Sequence, residues 1–451
     1  MAKPATKTVR SSKTNGAKKR AAPRPKAAAF DVRSLPGPET IVRQVLPNGL
    51  VVLVRENHTS PAVVVDGDLR AGALWEPRAK AGLADFTTST LMRGTEARSF
   101  NEIYEAIESV GASVGISSST HTTSVYGKSL AEDLGLVLEL AADALRRPTF
   151  PPEQVERLRG ESLTRMAMRD NNTRVRADQA FYELAYPNHP YAIDEDGTPE
   201  TIRAITRDDL VDFHRRNFGP RGMILTIVGA VRAQEAVALV EHYFGDWENP
   251  QQINEPHLPP VSRPEGVLTR RIGMPGKIQS DLILGGPGSA RKHPRYLAAR
   301  LGNNILGVFG MGGHIGHEVR EKGGMAYYAA SALDGGQGPG PWRAYAGINP
   351  KNIDRAVDLI RRELRKFTSR RVTEDELSEN KTFFLGRLPL SLETNEGVAG
   401  SIGSLELYEL GLDYLQRYPA LVQAITREDI LEVAREFLSP DQYVLTVAGP
   451  E

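Results

Sequence analysis

The chain repeats itself once, at domain scale. Residues 204–230, AITRDDLVDFHRRNFGPRGMILTIVGA, and residues 424–450, AITREDILEVAREFLSPDQYVLTVAGP, align without a gap. Each copy reads as a capped helix, a proline-containing turn and a strand. Thr206 and Thr426 stand at the cap, with acids in the first turn where they oppose the helix dipole. Self-similarity at so long a period predicts two related halves rather than a stack of small repeats. The length of 451 residues agrees, since one core serves about 100–200. Between the copies, residues 249–266 (NPQQINEPHLPPVSRPEG) hold five prolines and read as an extended connector. The expected organisation is a basic tail over 1–30, a first half over 31–248, the connector over 249–266 and a second half over 267–451.

Within the first half, VRQVLPNGLVVLVREN sets two apolar-rich runs around Asn48-Gly49, the strongest short hairpin signal. A strand follows in AVVVDGDLRAG, then a helical stretch from near Ala79 and a helix near 100–110. Two Ser/Thr-rich strands fall within 112–128, and long helical patterns cover 130–146 and 152–185. Hairpins combined with long helices predict α+β halves, each a mainly antiparallel sheet with helices packed on one face. A doubly wound nucleotide fold does not fit this order.

Charge and residue types exclude several functions. The 56 Lys and Arg balance 56 Asp and Glu, but the first 30 residues hold nine of the bases and no acid, so the body carries a net charge of about −9. A body without a basic stripe is not built for nucleic acid. The tail lacks the apolar residues of a core and is expected to be disordered; it lacks the apolar region of a secretory signal, while an acid-free basic start also fits an organelle transit peptide. No stretch approaches the ~18 apolar residues of a membrane span. With no cysteine, disulfides, thiolate zinc sites, iron-sulfur clusters and thiol nucleophiles are out. Gly127-Lys128-Ser129 ends like a phosphate-binding loop, but Thr122 stands where the earlier glycine is required. The glycines at 307, 310, 312, 313 and 316 miss the dinucleotide spacing, and no G-x-S-x-G elbow occurs. His314-x-x-His317-Glu318 sets two imidazoles at helical spacing, without an identifiable carboxylate to complete a zinc site. These read as a loop histidine and a helix-start histidine.

The stretch AGLADFTTSTLMRGTEARSFNEIYEAIESVGASVGISSSTHTTSVYGKSL resembles the first-domain core of the pitrilysin/insulinase-type zinc metallopeptidases, which include mitochondrial processing peptidase and small bacterial two-subunit peptidases. ADALRRPTFPPEQVERLRGESL and PNHPYA extend the resemblance, which runs from about residue 40 to the end. Active members carry H-x-x-E-H on a helix, with two His on zinc and the Glu as general base, and a further Glu ligand some 75 residues later. Here that place reads Asp85-Phe86-Thr87-Thr88-Ser89, and the distal position falls on Thr164–Met166. Asp85 is the one plausible ligand, Ser89 is not a zinc ligand, and Thr88 cannot act as a base. A catalytic zinc needs about three protein ligands to hold it and activate its water. The motif is degenerate: the expectation is that this chain binds no metal and does not hydrolyse peptides alone.

LGNNILGVFGMGGHIGHEVREKGGMAYYAASAL resembles the family's glycine-rich loop, helix and following strand. The resemblance implies that Arg320 and Tyr327 point at substrate, with Arg320 closing a helix and Tyr327 opening a strand. Gly323 stands where many relatives have a second Arg. Gly310, Gly312 and Gly313 either touch an extended peptide or serve a tight connection. The implied function is the zinc-free, substrate-binding subunit of a heterodimeric peptidase for unfolded peptides, whose H-x-x-E-H partner holds the zinc. The implied setting is the cytoplasm or, as the alternative, the mitochondrial matrix. The competing readings are an inert assembly subunit, like the family's core proteins in a respiratory complex, and a stand-alone peptide binder.

Overall fold

Two sheets of one topology organise residues 31–450, the part of the chain that the computed structural model describes; the basic tail lies outside it. The first sheet runs β1-β2-β6-β3-β5-β4. Its strands are β1 (Val42–Val45), β2 (Val51–Glu56), β3 (Ala62–Leu69), β4 (Ser113–Ser118), β5 (Thr123–Leu130) and β6 (Ile224–Gly229). The second runs β7-β11-β8-β10-β9, from β7 (Val267–Gly273), β8 (Ser280–Pro287), β9 (Ala326–Leu333), β10 (Pro341–Ile348) and β11 (Tyr443–Gly449). With β1 set aside the two orders coincide. In each sheet the last strand inserts between the first two, parallel to one and antiparallel to the other. The remaining pairs are antiparallel.

The sequence repeat builds these inserted strands. Helices Arg207–Asn217 and Arg427–Phe437 open with reciprocal capping boxes, Thr206 with Asp209 and Thr426 with Asp429. They feed β6 and β11, in which every residue is buried. Burial on both faces is why both strands read as continuous apolar runs instead of alternating. The Asn48-Gly49 turn joins β1 to β2, with Gly49 at φ +89°. The Asn48 amide also donates to the carbonyl of Phe244 at 2.7 Å, which ties the hairpin to the end of helix Ala233–Phe244.

One face of each sheet carries that half's main core. Helices Leu134–Arg146 and Ala233–Phe244 cover the first, and Tyr296–Gly307, Ile353–Ser369 and Arg427–Phe437 cover the second. The opposite face receives a helix from the other half. Helix Asn395–Leu407 sets Val398, Ala399 and Ile402 on Leu53, Val64, Ile224 and Val228. Helix Thr173–Ala185 sets Ala177, Phe181 and Ala185 on Ile283, Val444 and Ala448. These two helices occupy equivalent places in the repeat, so the halves exchange helices reciprocally. The helical pattern over 152–185 is two helices, Pro152–Asp170 and Thr173–Ala185. Asn172 breaks it: its side-chain oxygen accepts from the N–H groups of Arg174 and Val175 and starts the exchanged helix afresh.

Candidate functional site

Helix Leu83–Leu91 carries the motif positions and buries Phe86, Thr87, Thr88 and Leu91. Its N-terminus is closed by Glu76, whose carboxylate accepts from Gly82 N–H at 2.9 Å and Ala84 N–H at 2.8 Å. Burial pushes Glu76 up to about 8. Asp85 lies 4.0 Å from the Arg165 guanidinium. Burial pushes Asp85 up to about 6; Asp196 and Glu195 add to the shift and Arg165 opposes it. The Thr88 hydroxyl is buried, 3.5 Å from that of Thr123, and Ser89 is half-buried. At the distal position, Thr164 donates to its own helix at the Gly160 carbonyl and Met166 is buried. Arg165, between them, is the residue that reaches Asp85. One carboxylate facing a guanidinium does not fit a catalytic zinc, which requires about three protein ligands. Among the described residues no three His, Asp or Glu side chains converge as a metal site.

His314 and His317 of the second half go to separate acids. His314 Nε2 lies 2.6 Å from Glu376, and His317 Nδ1 lies 2.8 Å from Glu321. The hydrogen bond from His314, aided by the N–H and hydroxyl of Thr373, holds Glu376 down at about 2.

Arg320 belongs to a π-helical turn, His317–Lys322. Its carbonyl accepts from Gly324 N–H at 3.0 Å, and Gly324, at φ +61°, turns the chain into β9. Tyr327 is the second residue of that strand and is 85% exposed; Arg320 is half-buried. Among the described residues neither side chain has a hydrogen-bond or ion-pair partner, and they do not join each other. The glycine-rich segment beside them packs along β9. A Cβ on Gly312 would strike the Ala329 carbonyl, and one on Gly313 would strike the Ile305 carbonyl. Their φ angles, +107° and +57°, are thus demanded from within the fold. Gly310, at φ +66°, faces open space.

A cleft of about 1200 Å³ separates the halves, lined by Arg174, Asp178 and Tyr182 of an exchanged helix, His121, Arg343 of β10 and the glycine run at 335–338. Arg343 is its keystone. The guanidinium pairs with Asp178 of the first half at 3.3 Å and Asp334 of the second at 3.0 Å, and lies over the Tyr182 ring. Sequence reading passed over this group, because nothing in either half alone marks its partners. Arg320 and Tyr327 do not line the cleft.

Known proteins resemble the chain along nearly all of it. The insulinase (peptidase family M16) model matches residues 51–194, and the peptidase M16 inactive domain model matches residues 204–383. An uncharacterized zinc protease of Streptomyces coelicolor is 27% identical over 91% of this chain and 90% of its own. The β subunit of the mitochondrial-processing peptidase of Bos taurus is 26% identical over 92% and 85%. A crystal structure of a peptidase M16 inactive domain from Pseudomonas fluorescens superposes with a TM-score of 0.83 at 25% identity, covering 91% of this chain and 98% of that one. A protease from Helicobacter pylori shares the fold, with a TM-score of 0.84. With two models of one family matched in succession, and relatives aligned over most of each chain, the protein belongs to the insulinase (M16) family of peptidases.

Proposed function

We propose that this chain is the zinc-free, substrate-positioning subunit of a heterodimeric peptidase for unfolded peptides. A homologous partner with an intact H-x-x-E-H would hold the zinc and supply activated water and the general base. The observation that carries this reading is an asymmetry within the chain. Its motif helix pairs Asp85 with Arg165 and buries Thr88, whereas among the described residues the Arg320 and Tyr327 side chains have no hydrogen-bond or ion-pair partner, Tyr327 standing 85% exposed. Five guanidinium donors and a phenol can grip a peptide carbonyl and the oxyanion that develops on it. They do not line the cleft between the halves, and on this reading they act on a substrate held against a second chain. The processing-peptidase relative, itself named a subunit, supports a two-chain assembly. No helix among the described residues is long and apolar enough to cross a membrane. The bacterial relatives favour a cytoplasmic setting over a mitochondrial matrix.

The test is cleavage of a quenched peptide by this chain alone, the zinc-bearing chain alone, and the mixture. Only the mixture should reach full turnover, and Arg320→Ala or Tyr327→Phe should lower it by about 10²–10³, the usual effect of removing one oxyanion donor. Unchanged turnover in both variants would reject the shared site and leave an assembly subunit. Zinc-dependent cleavage by this chain alone would reject the assignment outright.

A further inference from the structure

The glycine-rich loop 335–340 connects β9 to β10, and residues of the first half hold it. The Tyr186 hydroxyl donates to the Pro339 carbonyl at 2.8 Å, and Tyr191 stands so close to Gly338 that a Cβ there would strike its hydroxyl. Leu258 of the connector closes over the same glycine. Three segments distant in sequence thus meet at Gly338: the short helical turn Pro190–Ala192, the connector and the loop. Tyr191, Ala192 and Gly338 all line the cleft between the halves.

A histidine caps that turn. The Tyr191 N–H donates to Nδ1 of His189 at 3.1 Å, so Nδ1 is the unprotonated nitrogen of the ring. The ring proton sits on Nε2, which faces the Pro259 carbonyl of the connector without closing a hydrogen bond. His189 is only 3% exposed, packed against the rings of Tyr186 and Tyr191. Burial, reinforced by His121, holds its pKa below the usual 6.5. The titratable groups around it are Tyr186, with Tyr182 stacked behind, Tyr191 of its own turn, and His121 of the loop between β4 and β5. Beyond them, Glu255 of the connector lies 3.8 Å from His121 and pairs with Arg70. Among the described residues no carboxylate pairs with His189 itself. A second proton has to enter at Nδ1, where it meets the Tyr191 N–H donor to donor, so the imidazole becomes charged only by giving up the cap.

We propose that His189 is a pH-sensitive fastener of this seam: a proton taken up at Nδ1 releases the turn it caps, Tyr191 lets go of the 335–340 loop, and the cleft opens on that side. The two exchanged helices keep the halves joined, so the opening is local. The proposal is independent of the subunit reading above. The native turn binds fewer protons than the open chain, so its stability is complete above pH 6.5 and falls as the pH drops below it. Asp66, Asp85 and Glu76, whose carboxyls burial pushes up, favour the fold in acid and act in the opposite sense. Glu255, which His121 holds below the usual 4.5, stays ionised at about pH 5.

Hydrogen exchange of the full chain at about pH 7.5 and about pH 5, corrected for the chemical exchange rate, tests the fastener. In the wild type the amides of 191–193 and 335–340 should lose protection in acid relative to those of the buried strands β6 and β11. His189→Asn offers the Tyr191 N–H a capping oxygen that takes no proton, and should keep its protection at both pH values. His121→Gln removes the neighbouring charge and should shrink the loss seen in the wild type. Thermal unfolding at about pH 7.5 establishes that the variants fold. Equal protection of the wild type at the two pH values overturns the proposal, and so does a loss in His189→Asn as large as that of the wild type. Should His189→Asn fail to fold, His121→Gln decides, and a loss undiminished there overturns the proposal.

Discussion

Asp66 on β3 is a carboxylate caught beneath an exchanged helix. It faces Gly400 and Gly403 of helix Asn395–Leu407, so closely packed that Cβ atoms there would stand 3.5 and 3.9 Å from its Oδ2. Its cross-strand neighbour Thr226 has a buried hydroxyl with no partner. The helix brings no cation, and its Glu396 and Glu406 are engaged by Lys128 and Arg43. Burial, reinforced by Asp68, pushes Asp66 from 3.8 up to about 6. A folded-state value above the unfolded one means that the native chain holds this proton more tightly. The group's stabilising contribution is therefore complete below pH 3.8 and is lost as pH rises through 6. A displacement of about two units corresponds to about 3 kcal/mol. Partial contact with solvent lowers the expected effect to about 1–2 kcal/mol. Asp66→Asn stays neutral throughout and can donate to Thr226. Its stability should equal that of the wild type below about pH 4 and exceed it by about 1–2 kcal/mol at about pH 7.5. Urea unfolding followed by tryptophan fluorescence makes the comparison, since Trp75 and Trp247 report the first half and Trp342 the second. A variant no more stable than wild type at about pH 7.5 would show that the Asp66 carboxylate is not penalised beneath the helix.

The glycine-rich segment gives a graded pair: Gly312→Ala, with positive φ and a blocking carbonyl, should cost about 3 kcal/mol or more, and Gly310→Ala, with positive φ alone, about 1–2 kcal/mol. Thermal unfolding reads both, and equal costs would show that the packing against Ala329 is unimportant. Arg343→Met takes the cation from Asp178 and Asp334, both partly open to solvent, and should cost about 1–3 kcal/mol, part of it recovered by adding Asp178→Asn. Additive losses in the double variant would remove the ion pair from the account.

Some of the site was legible because its chemistry is a property of residue type. A helix with Asp, Thr and Ser at 85, 88 and 89 lacks the ligands for catalytic zinc however it packs. Arg165 opposite Asp85 was not legible, since a contact between two helices leaves no mark on the spacing of either. The glycines of 310–313 had two open readings, and the backbone of β9 supplies an internal reason for Gly312 and Gly313. The helical pattern over 152–185 did not show the break at Asn172, whose capping side chain competes locally with helix continuation.

From its letters alone the chain specified a domain-scale duplication, capped helices leading into buried strands, a tight Asn-Gly hairpin and a motif stripped of ligands. These follow from periodicity, local backbone preference and functional-group chemistry, all of which act over a few residues. The fold alone decided that each half lends the other a helix, that Arg343 bridges two acids across a cleft, that Asp66 lies under a foreign glycine face, and that Tyr327 stands free. An apolar stripe says that a surface will be covered; which distant segment covers it depends on how the whole chain closes.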